Sequence, residues 1–560
     1  MTMKIDRRGF LKYSGGGLAG ISLASPLAYA ACGDTAGGND DQVLFIGDEI
    51  AVAETTSGKV RGYILRDVYY FLGIPYGADT SGVNRFMPPR KPDPWNDIFP
   101  AIWWGNAAPQ LIEGIYSGEN RYRAFRHHAN FDDISENCLS INVFTPGYND
   151  GKKRPVLLWM HGGSWNYGIS IEHDGVNGEN LARHGDIVFC SINHRLGPLG
   201  FSDLSAAGDE RFAASGNAGA LDLVAALEWV HDNIENFGGD PGNVTIIGQS
   251  GGGGKIITTL GMPSAKGLFH KAVALSPASI ELRDKEMKMK VGKYIMREAG
   301  LKPGQADRLQ QLTWRDYYAV ALRAAEKYIK DSGIESVTPV QIFQPQVDGN
   351  FIPQHPVNPV ASPYGADIPL ILSSTTNENS NAFRDSSLEN ISFEGVKDEM
   401  AKIYGEKAGE IVDAYARAFP DRKPVEIWSM ANRFRQGSVV IADAKSKQQA
   451  PVYLAWFGWY PPLFDNRMRA FHCIDQCFWF YNTDVMLTHT GGGARPRALS
   501  EKMANTLIRF MKTGNPNGGG LPEWPAYSSA KGEIMFLDDV PKVQFDPDRE
   551  AREILPPYFQ

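Results

Sequence analysis

From residue 138 onward the chain keeps to one texture. Short, almost wholly apolar runs are separated by longer stretches in which apolar residues recur every three or four positions. The runs at 139–144, 155–160, 186–192, 244–247, 271–275, 368–372 and 451–456 lack the alternation of a half-exposed strand. They predict strands buried on both faces. Leu221, Val224, Ala225, Leu227, Val230 and Ile234 fall at helical spacing, and the Lys/Glu-rich segments 281–333 and 391–419 predict further helices. Strands alternating with helices predict an α/β fold, with a large, mostly parallel sheet and helices on both faces. Residues 43–100 differ: short alternating strands, among them 58–62 and 69–76, with turn residues between them, predict an antiparallel edge to that sheet. No repeat and no linker follows residue 42, so 43–560 is expected to be a single domain.

Composition narrows the picture. A hydrophobic fraction of 43% is ample for a large core, and a net charge of -8 carries no basic footprint for nucleic acid. Five cysteines in 560 residues make no disulfide scaffold, and no CxxC pair suggests zinc. No metal or cofactor is expected, and no run after the N-terminus is long enough to span a bilayer. The N-terminus itself reads as an address. Arg7-Arg8-Gly9-Phe10-Leu11-Lys12, a weakly apolar stretch over 13–27 and Ala28-Tyr29-Ala30 form a twin-arginine (Tat) signal over 1–30. Residues 31–42 would be a flexible lead-in. Tyr29-Ala30-Ala31-Cys32 is an imperfect lipobox, so cleavage after Ala30 is expected rather than a lipid on Cys32. The expected destination is the periplasm or the medium.

The run at 244–247 leads into Gly248-Gln249-Ser250-Gly251-Gly252 and then into an apolar helical stretch. A G-x-S-x-G between strand and helix puts the serine on a sharp elbow, its hydroxyl above the sheet and the next N–H facing incoming negative charge. With 59 glycines in the chain the pattern is weak by itself, and its meaning depends on its partners. Upstream, His161-Gly162-Gly163-Ser164-Trp165 follows another buried run, where glycines would let backbone N–H groups approach a developing oxyanion. Downstream, a histidine and an acid are required in the order serine, acid, histidine. His270, His355, His472 and His489 follow Ser250. His270 lies just before a predicted strand, too near the serine in sequence, and His355 precedes a proline in a turn-rich stretch. His472 is favoured only modestly over His489. Glu378, in a polar stretch after the run at 368–372, could orient the histidine or could simply cap a helix.

These residues belong to a wider pattern. The segments 71–77, 135–143, 193–201, 217–222 and above all 229–245 (WVHDNIENFGGDPGNVT), with 265–269, 347–349, 513–517 and 524–527 downstream, resemble the type-B carboxylesterase family. This is the carboxylesterase and cholinesterase-like branch of the α/β-hydrolases, and the resemblance runs over roughly 50–550. It implies an α/β-hydrolase fold and a serine carboxylesterase acting through an acyl-enzyme on a small-molecule ester. It also implies a triad of Ser250, Glu378 and His472 and an oxyanion hole from the N–H groups of Gly163, Ser164 and Gly251. Alternatives are a lipase, a carbamate or amide hydrolase on the same triad, or a non-catalytic cholinesterase-like binding module.

The chain departs from the family pattern in places. Ser164 stands where glycine is commonest. Gly251 replaces the usual alanine and is expected to loosen the turn. Ala108 occupies the region of the cysteine that would pair with Cys138, so that bridge is expected to be absent. Cys473 and Cys477 flank His472, and a bridge between them would need non-helical geometry. Trp165, Trp456 and Trp459 could shape an apolar pocket or fill the core. The substrate and the oligomeric state are not written in the sequence, and the pockets would lie in loops within 102–130, 281–345 and 380–430.

Overall fold

The computed structural model describes residues 42–111, 133–278, 280–334 and 337–558. The expected leader over 1–30, the expected cleavage site, Cys32 and most of the expected lead-in lie outside the described residues. From Leu44 onward the chain forms one unit.

Its centre is a 12-stranded sheet. The strands are β1 (Leu44–Phe45), β2 (Tyr63–Leu65), β3 (Val68–Pro75), β4 (Ser140–Thr145), β5 (Arg154–Met160), β6 (Val188–Ile192), β7 (Gly239–Gln249), β8 (Lys271–Leu275), β9 (Leu370–Thr375), β10 (Val452–Phe457), β11 (Glu533–Leu537) and β12 (Lys542–Phe545). Their order across the sheet is β1-β2-β3-β4-β6-β5-β7-β8-β9-β10-β11-β12. The strands from β6 to β11 run parallel, whereas β1 to β4, and β4 against β6, are antiparallel. This is the mostly parallel sheet with an antiparallel N-terminal edge that the hydrophobic pattern predicts.

The continuous apolar runs have a direct cause. Val244, Ile246, Ala272, Ala274, Leu370 and Leu372 pack into one core, while Ile247, Val273, Leu275, Ile371 and Ala455 pack into another. Successive side chains of a strand point to opposite faces, and here both faces are covered. Helix α1 (Ala218–Asn233) contributes Leu223, Leu227 and Val230 to the first core. The long helix at Ala494–Thr513 contributes Leu499, Met503, Leu507 and Phe510 to the second. Each fully buried aliphatic chain of this kind stabilises the fold by roughly 1.5–3 kcal/mol.

Two details differ from the expectation. Gly58–Arg61 leaves the main sheet and pairs with Val52–Thr55 and Phe99–Pro100 in a separate three-stranded sheet. The pattern also left out β11 and β12, which close the far edge as an antiparallel pair. Trp165, Trp456 and Trp459 are buried in the core.

Candidate active site

Strand β7 ends at Gln249 and helix α2 (Gly251–Leu260) begins at once, with Ser250 between them at φ 58 and ψ -121. A non-glycine residue there carries roughly 1–3 kcal/mol of backbone strain. The neighbouring strand holds it: the Ser250 N–H donates to the Leu275 carbonyl at 2.8 Å, and the Ser250 carbonyl accepts from Gly254 at 3.0 Å and Ala278 at 2.9 Å. The glycines that follow are required by close approach. A Cβ on Gly251 would lie 2.1 Å from the Ser164 backbone nitrogen, and one on Gly252 would lie 2.1 Å from the Met160 carbonyl oxygen. The glycine at 251 therefore does not loosen the turn. It lets the loop after β5 pack directly on the elbow.

That loop carries His161 to Ser164. Gly163 (φ 81) and Ser164 (φ 54) both have left-handed backbones. Gly163, Ser164 and Ser250 are partly exposed, while Gly162, Trp165 and Gly251 around them are buried. Among the described residues, the N–H groups of Gly163, Ser164 and Gly251 donate to no protein acceptor. Three unpartnered amides beside a strained serine are what a developing oxyanion requires.

Glu378 lies three residues beyond β9 and is buried. One carboxylate oxygen accepts from the Thr375 N–H at 2.9 Å and from the Ser276 hydroxyl at 2.8 Å. The other is hydrogen-bonded to Nδ1 of His472. The His472 backbone N–H donates to the Glu378 carbonyl at 3.3 Å, and its ring packs on Phe434. Burial works against the imidazolium, but Cys473 and the Glu378 carboxylate outweigh it and hold His472 well above the ordinary histidine value. Spacing alone favoured His472 only modestly over His489 and the family resemblance selected it; of the four candidate histidines, the structure brings His472 onto Glu378. His270 sits at the opposite end of β8, where its Nδ1 accepts from the Val244 N–H at 3.1 Å. His489 is buried against Phe471 and His173. His355 lies in a loop and takes no part in this cluster.

Several neighbours escaped the motif reading. The Gln249 amide nitrogen is 3.3 Å from His472 Nε2, and among the described residues no hydrogen bond joins the Ser250 hydroxyl to that ring. The Gln249 side-chain oxygen accepts from Gln476 at 3.0 Å and from the Cys473 thiol at 3.3 Å. Asp475 is buried beneath the histidine, and burial followed by Glu378 pushes its carboxyl up to about 7. Gln249 occupies an unconstrained position of the serine motif, so pattern alone gave no signal. Cys473 and Cys477 are free thiols, as is Cys138; Cys477 donates to the Ile474 carbonyl at 3.2 Å.

A strand-elbow-helix serine, a buried glutamate-histidine pair and unpartnered amides on a mixed 12-stranded sheet define the α/β-hydrolase class of esterases. Residues 49–554 match the Carboxylesterase family, and the chain belongs to it. It is 33% identical to a para-nitrobenzyl esterase of Bacillus subtilis over 90% of this chain and 98% of that protein. It is 30% identical to a phenmedipham hydrolase of Pseudarthrobacter oxydans, over 87% and 95% respectively. Among solved structures it resembles an esterase of Clostridium hathewayi that hydrolyses aliphatic aromatic polyesters. The TM-score is 0.79 at 32% identity, over 91% of this chain and 98% of that one. The protein is a carboxylic-ester hydrolase.

Proposed function

We propose that the protein is a serine carboxylesterase that works through an acyl-enzyme on Ser250, with Glu378 and His472 completing the triad. The observation that carries this reading is the His472 ring bonded to a buried Glu378 beside the strained elbow serine. His472 Nε2 takes the Ser250 proton as Oγ attacks the ester carbonyl, and the Gly163, Ser164 and Gly251 N–H groups receive the oxyanion. Collapse of the tetrahedral species breaks the bond to the alcohol, which leaves with the proton from His472. Water, deprotonated by the same nitrogen, then attacks the acyl-serine, and Ser250 recovers its proton as the acid departs. Glu378 fixes the Nδ1–H tautomer and stabilises the imidazolium formed at each step. For this path the Gln249 amide must yield the Nε2 side of the ring to the serine hydroxyl, a tightening common when substrate binds.

Ser250→Ala should lower turnover by about 10⁴- to 10⁶-fold, by analogy with triad knockouts in other serine hydrolases. A folded variant that hydrolysed an aryl ester at near wild-type rate would refute the assignment. The relatives make para-nitrobenzyl esters, phenmedipham and aliphatic aromatic polyesters the first substrates to assay.

The twin-arginine leader adds a proposed address: export in the folded state, with cleavage after Ala30. Arg7→Lys with Arg8→Lys should strand the full-length chain in the cytoplasm on fractionation. Unimpaired export would remove that reading without touching the catalytic one.

A further inference from the structure

Lys255 lies in the second turn of α2, five residues after the serine, in a stretch that is otherwise glycine and isoleucine. Its side chain is completely buried. Among the described residues no carboxylate forms an ion pair with it, and burying an unpaired ammonium is costly, so the position asks for a reason. The Nζ donates to the His161 carbonyl at 2.7 Å and lies 3.4 Å from the Gly162 carbonyl. The Gly162 carbonyl is also met by its neighbour's ring, with His161 Nδ1 at 2.9 Å. The Trp165 ring lies 5.7 Å from the same ammonium.

These two carbonyls belong to the peptide planes that build the oxyanion loop. In a trans peptide the C=O and the next N–H point to opposite sides. The Gly162–Gly163 peptide is trans. Anchoring the Gly162 oxygen inward on Lys255 and His161 therefore turns the Gly163 N–H outward, away from the core. A glycine-glycine peptide has little else to fix its orientation, since neither residue has a Cβ to restrict rotation. A flip of this one plane would replace a donor by a carbonyl at the place where negative charge develops.

We infer that Lys255 is a positioning residue of the oxyanion hole: its side chain locks the His161–Gly163 backbone so that the Gly163 N–H stays available to the tetrahedral intermediate. Burial lowers the Lys255 ammonium to about 7, and the neutral amine still carries hydrogens to donate, so the lock does not depend on charge. The inference rests on the acyl-enzyme reading at Ser250. Loss of a whole oxyanion donor costs about 10²- to 10³-fold in other serine hydrolases, and a donor set free to flip should cost less.

The test compares Lys255→Met, an apolar chain of similar length, with wild type on two constants. One is kcat for a para-nitrophenyl ester. The other is the affinity for an alkyl boronic acid, which becomes tetrahedral on the active serine. The expected result is a fall of about 10- to 100-fold in both, with KM within about twofold because the ground-state ester makes little use of the hole. Lys255→Gln, a shorter arm with one donor group, should lose only a few-fold. If the Met variant does not fold, wild-type constants in the Gln variant overturn the proposal. A lowered melting temperature with unchanged kcat and boronate affinity overturns it as well, since that is the mark of a merely structural lysine. Ser250→Ala separates the two readings: if it still turns over, the acyl-enzyme reading itself fails. If it is inactive while Lys255→Met matches wild type, only the role of Lys255 falls.

Discussion

His472 carries two opposed influences that set the acid side of the activity profile. Burial penalises its charged form, while Cys473 and Glu378 favour it more strongly, so its folded value lies well above that of a free histidine. As general base it must be neutral, and kcat/KM should therefore fall as pH drops through that raised value, above the ordinary 6.5. Glu378→Gln removes a charge that favours the imidazolium, so the acid limb should move to lower pH. It also leaves the ring without its orienting carboxylate, and kcat should fall by up to about 10⁴-fold, as in the comparable substitution of a triad aspartate. The measurement is kcat/KM against pH for both proteins on a soluble ester. A limb that stayed in place, or moved upward, would mean that Glu378 is not the charge felt by His472.

The elbow is where helix and loop constrain each other most tightly. A Cβ at position 251 would strike the Ser164 backbone, although alanine is the common residue there in the family resembled. Gly251→Ala should therefore push the Ser164 amide out of place and cut kcat by about tenfold or more, consistent with the 1–3 kcal/mol typical of overpacking. Ser164→Gly, which frees the loop to shift, should recover part of that loss in the double variant. Simple additivity of the two effects would count against direct coupling. Gly252→Ala meets a backbone carbonyl that cannot move aside without disturbing the end of β5, so its main effect should be a lower melting temperature.

The same region marks how far the sequence was legible. Buried apolar runs disclosed the parallel strands because both faces of the sheet are covered, and the serine motif disclosed its strand and helix. The close approach of two backbones at Gly251 depends on where a loop some ninety residues upstream comes to rest, and no local pattern encodes that. Spacing likewise favoured His472 over His489 only modestly, and the family resemblance made the choice. Both follow the last long strand run, and the fold separates them by turning one ring toward Glu378 and packing the other against Phe471. Strands β11 and β12 escaped because a short run near the C-terminus carries no alternation of elements around it. Lys255 was in plain view as a lone charge in an apolar helix, but its partners are carbonyls, which leave no trace in composition.

Across the whole molecule, buried ion pairs fasten distant segments to the sheet. Arg435, on the helix Arg433–Lys445 that precedes β10, and Asp548, just before the C-terminal helix Arg549–Ile554, are both almost completely buried. The guanidinium donates to the carboxylate at 3.0 and 2.8 Å, and it lies 4.6 Å from the Trp456 ring of β10. Burial alone would raise the Asp548 carboxyl, but Arg435 and then Arg552 outweigh it and bring it down to about 2. Its folded value is thus below the unfolded one, so its contribution to stability is present above the unfolded value, near 4, and is lost as pH falls toward 2. Asp548→Ala leaves a buried guanidinium short of its main partner and should cost about 3–5 kcal/mol at neutral pH. In urea titrations the gap to wild type should then narrow between pH 4 and pH 2. Replacing both partners with apolar residues, as in Arg435→Met with Asp548→Leu, should restore most of the stability, because the cost lies in the stranded charge more than in the lost attraction. A double variant no more stable than Asp548→Ala would instead make the pair itself the clamp that holds the C-terminal helix on the fold.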